Sequence, residues 1–169
     1  VREGWFLMDS FREFHLRMQY WNSFHSFEQV LVEMLGHQMN SFFEPLVVPK
    51  GMILCRAGDM DKHVYVLKEG LLTIFVEGDD EDHISRVQTL TSGCFVNEDA
   101  LFGKYFVPYT VVADEDCVIL ALSREKMVRL EQQHGAVSLE IHRRALAHAS
   151  RFVRRDAWRI ASTETGGGI

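Results

Sequence analysis

Between residues 4 and 39, apolar side chains recur in steps of three and four: Leu7, Phe11, Phe14, Met18 and Trp21, then Phe27, Val30, Leu31, Met34 and Leu35. This spacing predicts two amphipathic helices, interrupted at Asn22 and Ser23, with Ser26 as N-cap and Glu28 as an early acid of the second. The aromatic stripe reads as packing on the chain's own β-rich part, with a docking surface for a partner as the alternative. After Pro45 the texture changes to short β-rich runs. Strand-like runs follow at 46–48, 52–55, 64–67, 71–76, 84–90, 110–113 and 117–122, separated by turn signals such as Pro49-Lys50-Gly51, Glu69-Gly70 and Ser92-Gly93. Helical spacing then returns. Ser123 is the expected N-cap of a helix over 124–133, Gly135 its stop, and a long helix is expected from about Ala136 to Ile160.

The pattern predicts an α+β fold: a β-roll or jelly roll of about eight strands, flanked by N-terminal helices and a long C-terminal helix. The expected segments are 1–44 (helical), 45–122 (the β-roll, with a distinctive loop at 93–113), 123–160 (C-terminal helices) and 161–169 (a flexible tail).

Composition narrows the function. A chain of 169 residues, 47% hydrophobic and 25% charged, suits one domain with a sizeable core. Its net charge of −6 argues against a general polyanion binder, so nucleic acid is not an expected partner. The charge is unevenly spread: Asp79 to Asp82 form an acidic run, whereas Arg143, Arg144, Arg151, Arg154, Arg155 and Arg159 crowd the C-terminal helix. No apolar run reaches the roughly 18 residues of a membrane-spanning helix. Cys55, Cys94 and Cys117 lack paired spacing and read as packing thiols of a reducing, cytoplasmic compartment. Beginning at Val1 and ending in a glycine-rich tail, the sequence reads as part of something longer.

Catalytic chemistry finds no foothold. The eight histidines show neither an H-E-x-x-H motif nor Cys/His ligand spacing, and nucleophile-elbow, Walker and Rossmann signatures are missing. The acids Asp114, Glu115 and Asp116 read as a turn between strands. We therefore expect neither an enzyme nor a metal protein.

The most informative stretch is Gly93 to Ala113, GCFVNEDALFGKYFVPYTVVA. Together with Val48-x-x-Gly51, Gly58-Asp59, Tyr65 and Gly70, it resembles the cyclic nucleotide-binding domain family. That family's phosphate-binding cassette reads G-x-x-F-G-E-x-A-L, then R-x-A, then T-V-x-A. Gly93, Glu98, Ala100, Leu101, Thr110, Val111 and Ala113 stand in register without a gap. The resemblance implies a short helix from Glu98 to about Phe102, backbone N–H groups and an arginine around a cyclic phosphate, Glu98 on a ribose hydroxyl, and C-terminal helices as lid, with Phe152 or Trp158 as lid candidates and core or interface packing as the alternative role for both.

Several residues depart from this pattern. Val96 replaces the family's Phe, Asn97 its Gly, and Val107 its phosphate-gripping Arg. Losing that charge-assisted contact costs a bound phosphate roughly 1.5–3 kcal/mol, about ten- to a hundredfold in affinity. Asn97 tolerates left-handed geometry better than most residues. Asp99 adds a second negative charge beside Glu98, Tyr109 is large enough to fill part of the pocket, and Lys104 reads as a solvated loop lysine, with a substitute cation for the phosphate as the alternative. The candidate pocket thus comprises Val96, Asn97, Glu98, Asp99, Ala100, Leu101, Lys104, Val107, Pro108, Tyr109 and Thr110.

The expectation is a cytosolic regulatory or interaction module with weak or absent cAMP and cGMP binding. It would belong to a larger protein, such as a membrane transporter or channel of the sulfate permease type. Its expected partners are the other domains of that protein and a second copy through the C-terminal helix, with membrane contact only through the parent. The alternative is a sensor that takes a cyclic nucleotide or another small anion in a rearranged pocket.

Overall fold

A computed structural model describes the backbone of residues 27–77 and 84–164, and side chains over 27–76 and 87–149. The first expected helix, the Ser26 cap, the acidic run and the glycine tail lie outside the described residues, as do the side chains of Phe152 and Trp158.

Helix α1 runs through residues 27–35 and is followed by a 3-10 turn, Gly36–Gln38, and the short α2, Met39–Phe42. Eight strands follow: β1 (Glu44–Val48), β2 (Ile53–Cys55), β3 (His63–Glu69), β4 (Leu72–Glu77), β5 (Ile84–Leu90), β6 (Phe95–Val96), β7 (Thr110–Ala113) and β8 (Cys117–Ser123). A 3-10 helix, Glu98–Phe102, lies between β6 and β7, and α3 (Arg124–Gln133) and α4 (Gly135–Glu164) complete the order. The strands form two antiparallel sheets, ordered β1-β8-β3-β6 and β2-β7-β4-β5. This is the expected α+β roll flanked by helices.

Alternation along β3 and β8 divides the interior in two. Val64, Val66, Leu120 and Leu122 face a core built with Phe27, Leu31, Met127, Leu130, Val137 and Ile141 of the helices. Tyr65, Leu67, Ile119 and Ala121 point the other way, into the roll, against Leu72, Ile74, Val96, Val107 and Val111. Gly70 lets β3 turn into β4: its φ is +103°, and a Cβ there would lie 2.6 Å from Cys117 Sγ and 2.8 Å from the Asp116 carbonyl oxygen.

Two details differ from expectation. β6 was not anticipated, because two residues are too few for a period to register; its pairing with Tyr65 and Val66 defines it. Gly135 does not stop a helix. His134 ends α3 with φ −139° and ψ 58°, its N–H donating to the Leu130 carbonyl, and Gly135 begins α4. The His134 carbonyl accepts from both Val137 and Ser138, so the break between the helices is one residue wide. Ser123 caps α3 as expected, its Oγ accepting from the Lys126 N–H at 3.3 Å.

Candidate functional site

The cassette turns at Asn97. This residue has φ 58° and ψ 39°, the one non-glycine positive φ among the described residues, at the position where the resembling family uses glycine. Its side chain supports the turn. Nδ2 donates to the carbonyls of His63 (2.8 Å) and Asp61 (3.2 Å), tying the cassette to the start of β3. That start is itself braced, because Asp61 Oδ1 accepts from the His63 N–H and contacts its Nδ1, each at 2.9 Å, while Oδ2 accepts from the Tyr65 hydroxyl at 2.7 Å. Burial and the Asp61 carboxylate together push the Tyr65 hydroxyl well above its ordinary pKa.

Tyr109 reaches the same turn from the other side. Its hydroxyl accepts the Asn97 backbone N–H at 3.1 Å. An amide at the head of the cassette, where an anion would need a donor, is thereby engaged inside the protein. Burial, reinforced by the nearby Glu98 carboxylate, raises the Tyr109 hydroxyl far above the usual phenol range, so it stays protonated.

Val107 is fully buried within the roll. Its N–H donates to the Asp59 carbonyl (3.0 Å), and its carbonyl accepts from Gly58 (2.9 Å). Both backbone groups are therefore satisfied, and its side chain belongs to the core.

Glu98 meets the C-terminal helix. Along α4, Val137, Ile141 and Ala145 recur every fourth residue and are buried, so the stripe anchors this helix on the β-roll. One turn further, His148 Nδ1 lies 3.3 Å from Glu98 Oε1, with side-chain exposures of 12% and 13%. The other carboxylate oxygen, Oε2, is buried without a hydrogen-bond partner among the described residues. Burial disfavours the imidazolium, but hydrogen bonding to Cys94 and Glu98 outweighs it and raises the His148 pKa from 6.5 to about 9. At neutral pH the contact is a buried ion pair.

Beside this pair lies a cavity of about 390 Å³, lined by Ile74, Val76, Glu98, Asp99, Pro108, Tyr109, His148 and Ala149. Of the sequence-derived candidates, Glu98, Asp99, Pro108 and Tyr109 therefore come together on one cavity. Val96, Ala100 and Leu101 are core residues. Asn97 is 1% exposed and builds the turn. Lys104 is exposed, with its N–H on the Asp99 carbonyl, and Thr110 accepts the Ala57 N–H at 3.1 Å; neither lines the cavity. Sequence reasoning missed His148, Ile74, Val76 and Ala149. The signal for His148 was available in principle, as the next residue on the apolar stripe of α4, but a partner fifty positions away in the chain leaves no local spacing. No group of acidic, His or Cys side chains suited to a metal ion occurs among the described residues, and none of their helices is long and apolar enough to cross a membrane.

The family model "Cyclic nucleotide-binding domain" matches residues 45–134, just over half of the chain. Among solved structures, a cyclic nucleotide-binding domain from Methylobacillus flagellatus is similar with a TM-score of 0.69 and 16% identity, over 78% of this chain and 72% of that one. The catabolite activator protein of Thermus thermophilus gives a TM-score of 0.61 and 22% identity, over 73% and 56%. The c-di-GMP responsive global regulator CLP of Xanthomonas campestris gives 0.60 and 23%, over 75% and 61%. The match thus spans little more than half of each of these two regulators. No curated protein sequence shows significant similarity to the chain.

Proposed function

Because the chain belongs to the cyclic nucleotide-binding domain family, we propose that it is a regulatory and interaction module whose pocket binds cAMP and cGMP weakly or not at all. The observation that carries this reading is the Tyr109 hydroxyl on the Asn97 amide. A cyclic phosphate at the cassette would have to break that bond and would find a core valine where the family places an arginine. The missing charge-assisted contact removes roughly 1.5–3 kcal/mol, and desolvating the anion beside apolar side chains adds to the loss. Isothermal calorimetry with cAMP and with cGMP tests the reading. Heats indistinguishable from dilution support it, whereas saturable binding with a Kd below about 100 μM overturns it.

As a module, it would act by docking. Leu139 and Leu146 of α4 are 69% and 55% exposed and stand seven residues apart, a spacing that suits a second copy of the helix. The other partners in this reading are further domains of a longer protein. The solved relatives include regulators rather than transporters, so a membrane transporter as parent gains nothing from them. A second reading, a sensor with a rearranged pocket, is favoured by the cavity beside Glu98.

A further inference from the structure

Resting on the reading that this pocket does not grip a phosphate, we propose that the cavity is a site for a hydrophobic ammonium ligand, whose cation takes the place of His148 at Glu98. Three features of the cavity lead to this class. Its walls are apolar: Ile74, Val76, Pro108, the Tyr109 ring and Ala149 surround a volume of about 390 Å³, within the range of small-molecule sites. Its fixed charge is negative, since Asp99 and Glu98 both line it, and Asp99 is exposed. Finally, the Glu98 carboxylate already holds a nitrogen cation out of water, the imidazolium of His148, while its second oxygen is buried with no donor among the described residues.

That spare oxygen sets the chemistry. A buried carboxylate oxygen without a partner is costly, and only an N–H or O–H donor relieves it. An ammonium group carries three donors, so it can reach Oε1 and Oε2 together, which the single Nδ1–H of His148 does not. Oε2 is closed off from solvent, so a cation that takes both oxygens must displace His148 from Oε1 and loosen the packing around the carboxylate. Binding therefore disturbs the seat of α4 on the cassette, giving a route from ligand to helix. Asp99 at the rim attracts the same charge and repels an anion.

The probe is 2-phenylethylamine, titrated by calorimetry into the chain, with circular dichroism to confirm the fold of each variant. His148→Ala empties the competing position and should bind the amine at least tenfold tighter than the wild type. Adding Glu98→Gln to that variant should remove the gain. Asp99→Asn, an exposed change that leaves the fold intact, should weaken binding to the wild type two- to fivefold. Failure of His148→Ala to tighten amine binding, or an undiminished affinity after Glu98→Gln or Asp99→Asn, overturns the proposal. Should a variant fail to fold, His148→Gln in its place vacates the same cation with less loss of volume and carries the same expectation. The outcomes separate cleanly from the parent reading: saturable cAMP binding sinks the module with an inactive phosphate site, whereas silence toward both probes sinks only the amine.

Discussion

The buried contacts of His148 with Cys94 and Glu98 make folding stability depend on pH in a calculable way. The imidazole pKa rises from 6.5 to about 9 in the fold. At roughly 1.4 kcal/mol per pH unit, that rise corresponds to about 3 kcal/mol of stability. Little of it should be lost to solvent screening, because the side chains are only 12% and 13% exposed. A raised pKa means that the folded state binds the proton more tightly. The contribution is thus complete below about pH 6.5, declines between 6.5 and 9, and is gone above 9.

Urea unfolding at pH 6, 7.5 and 9.5, for wild type and His148→Gln, measures it. The difference between the two proteins should shrink by about 2–3 kcal/mol from pH 6 to pH 9.5, and taking the difference cancels titrations elsewhere. Two nearby groups stay protonated across this window, because burial pushes the Cys55 thiol up to about 12 and the Tyr109 hydroxyl higher still. An NMR titration locates the midpoint directly, and Glu98→Gln should move it down. Parallel stability curves for the two proteins, or a His148 midpoint at or below about 6.5, would refute the pair as an energetic contact.

Other perturbations follow from the same geometry. Tyr109→Phe leaves the Asn97 N–H without its acceptor and should cost roughly 1–3 kcal/mol, read as a lower urea midpoint at unchanged slope. Val107→Arg forces a charge into a fully buried site and should destabilise by several kcal/mol; a variant as stable as wild type would show that the site opens to solvent. Gly70→Ala sets a Cβ 2.6 Å from Cys117 Sγ on a backbone at φ +103° and should cost about 3 kcal/mol, measured as a fall in thermal midpoint.

How far the sequence reaches is clearest at three places. The roll was legible because turn signals such as Glu69-Gly70 and Ser92-Gly93 separate short β-rich runs. That β3 and β8 are apolar on both faces, with Val64 and Val66 in one core and Tyr65 and Leu67 in the other, is explained by the two cores they divide. The cassette was legible as a framework because its turns need particular residues at fixed steps, and Asn97 adopts the left-handed geometry that its position demands. The contacts that give the cavity its character were not legible. Tyr109 finds Asn97 twelve residues away and His148 finds Glu98 fifty away, and such pairings are fixed by how strands and α4 stack rather than by any local period.

Asparagine in place of the family's glycine keeps the shape of the cassette's turn while its backbone amide donates to Tyr109. A glycine at φ 58° would satisfy the turn and leave its surroundings free. Asparagine meets the same geometry at some steric cost, offset by two side-chain hydrogen bonds that fasten the turn to the carbonyls of Asp61 and His63. The turn is then held from within the protein, and its amide faces Tyr109 rather than a ligand. With Val107 drawn into the core, the polar groups left on the cavity are carboxylates and one imidazole. On the proposed reading, the backbone outline that suits an anion in the family presents the carboxylates of Glu98 and Asp99 to the cavity here. Asn97, Val107 and Tyr109 carry that reading, keeping the cassette's turn while engaging its head amide and leaving a core side chain where the family has an arginine.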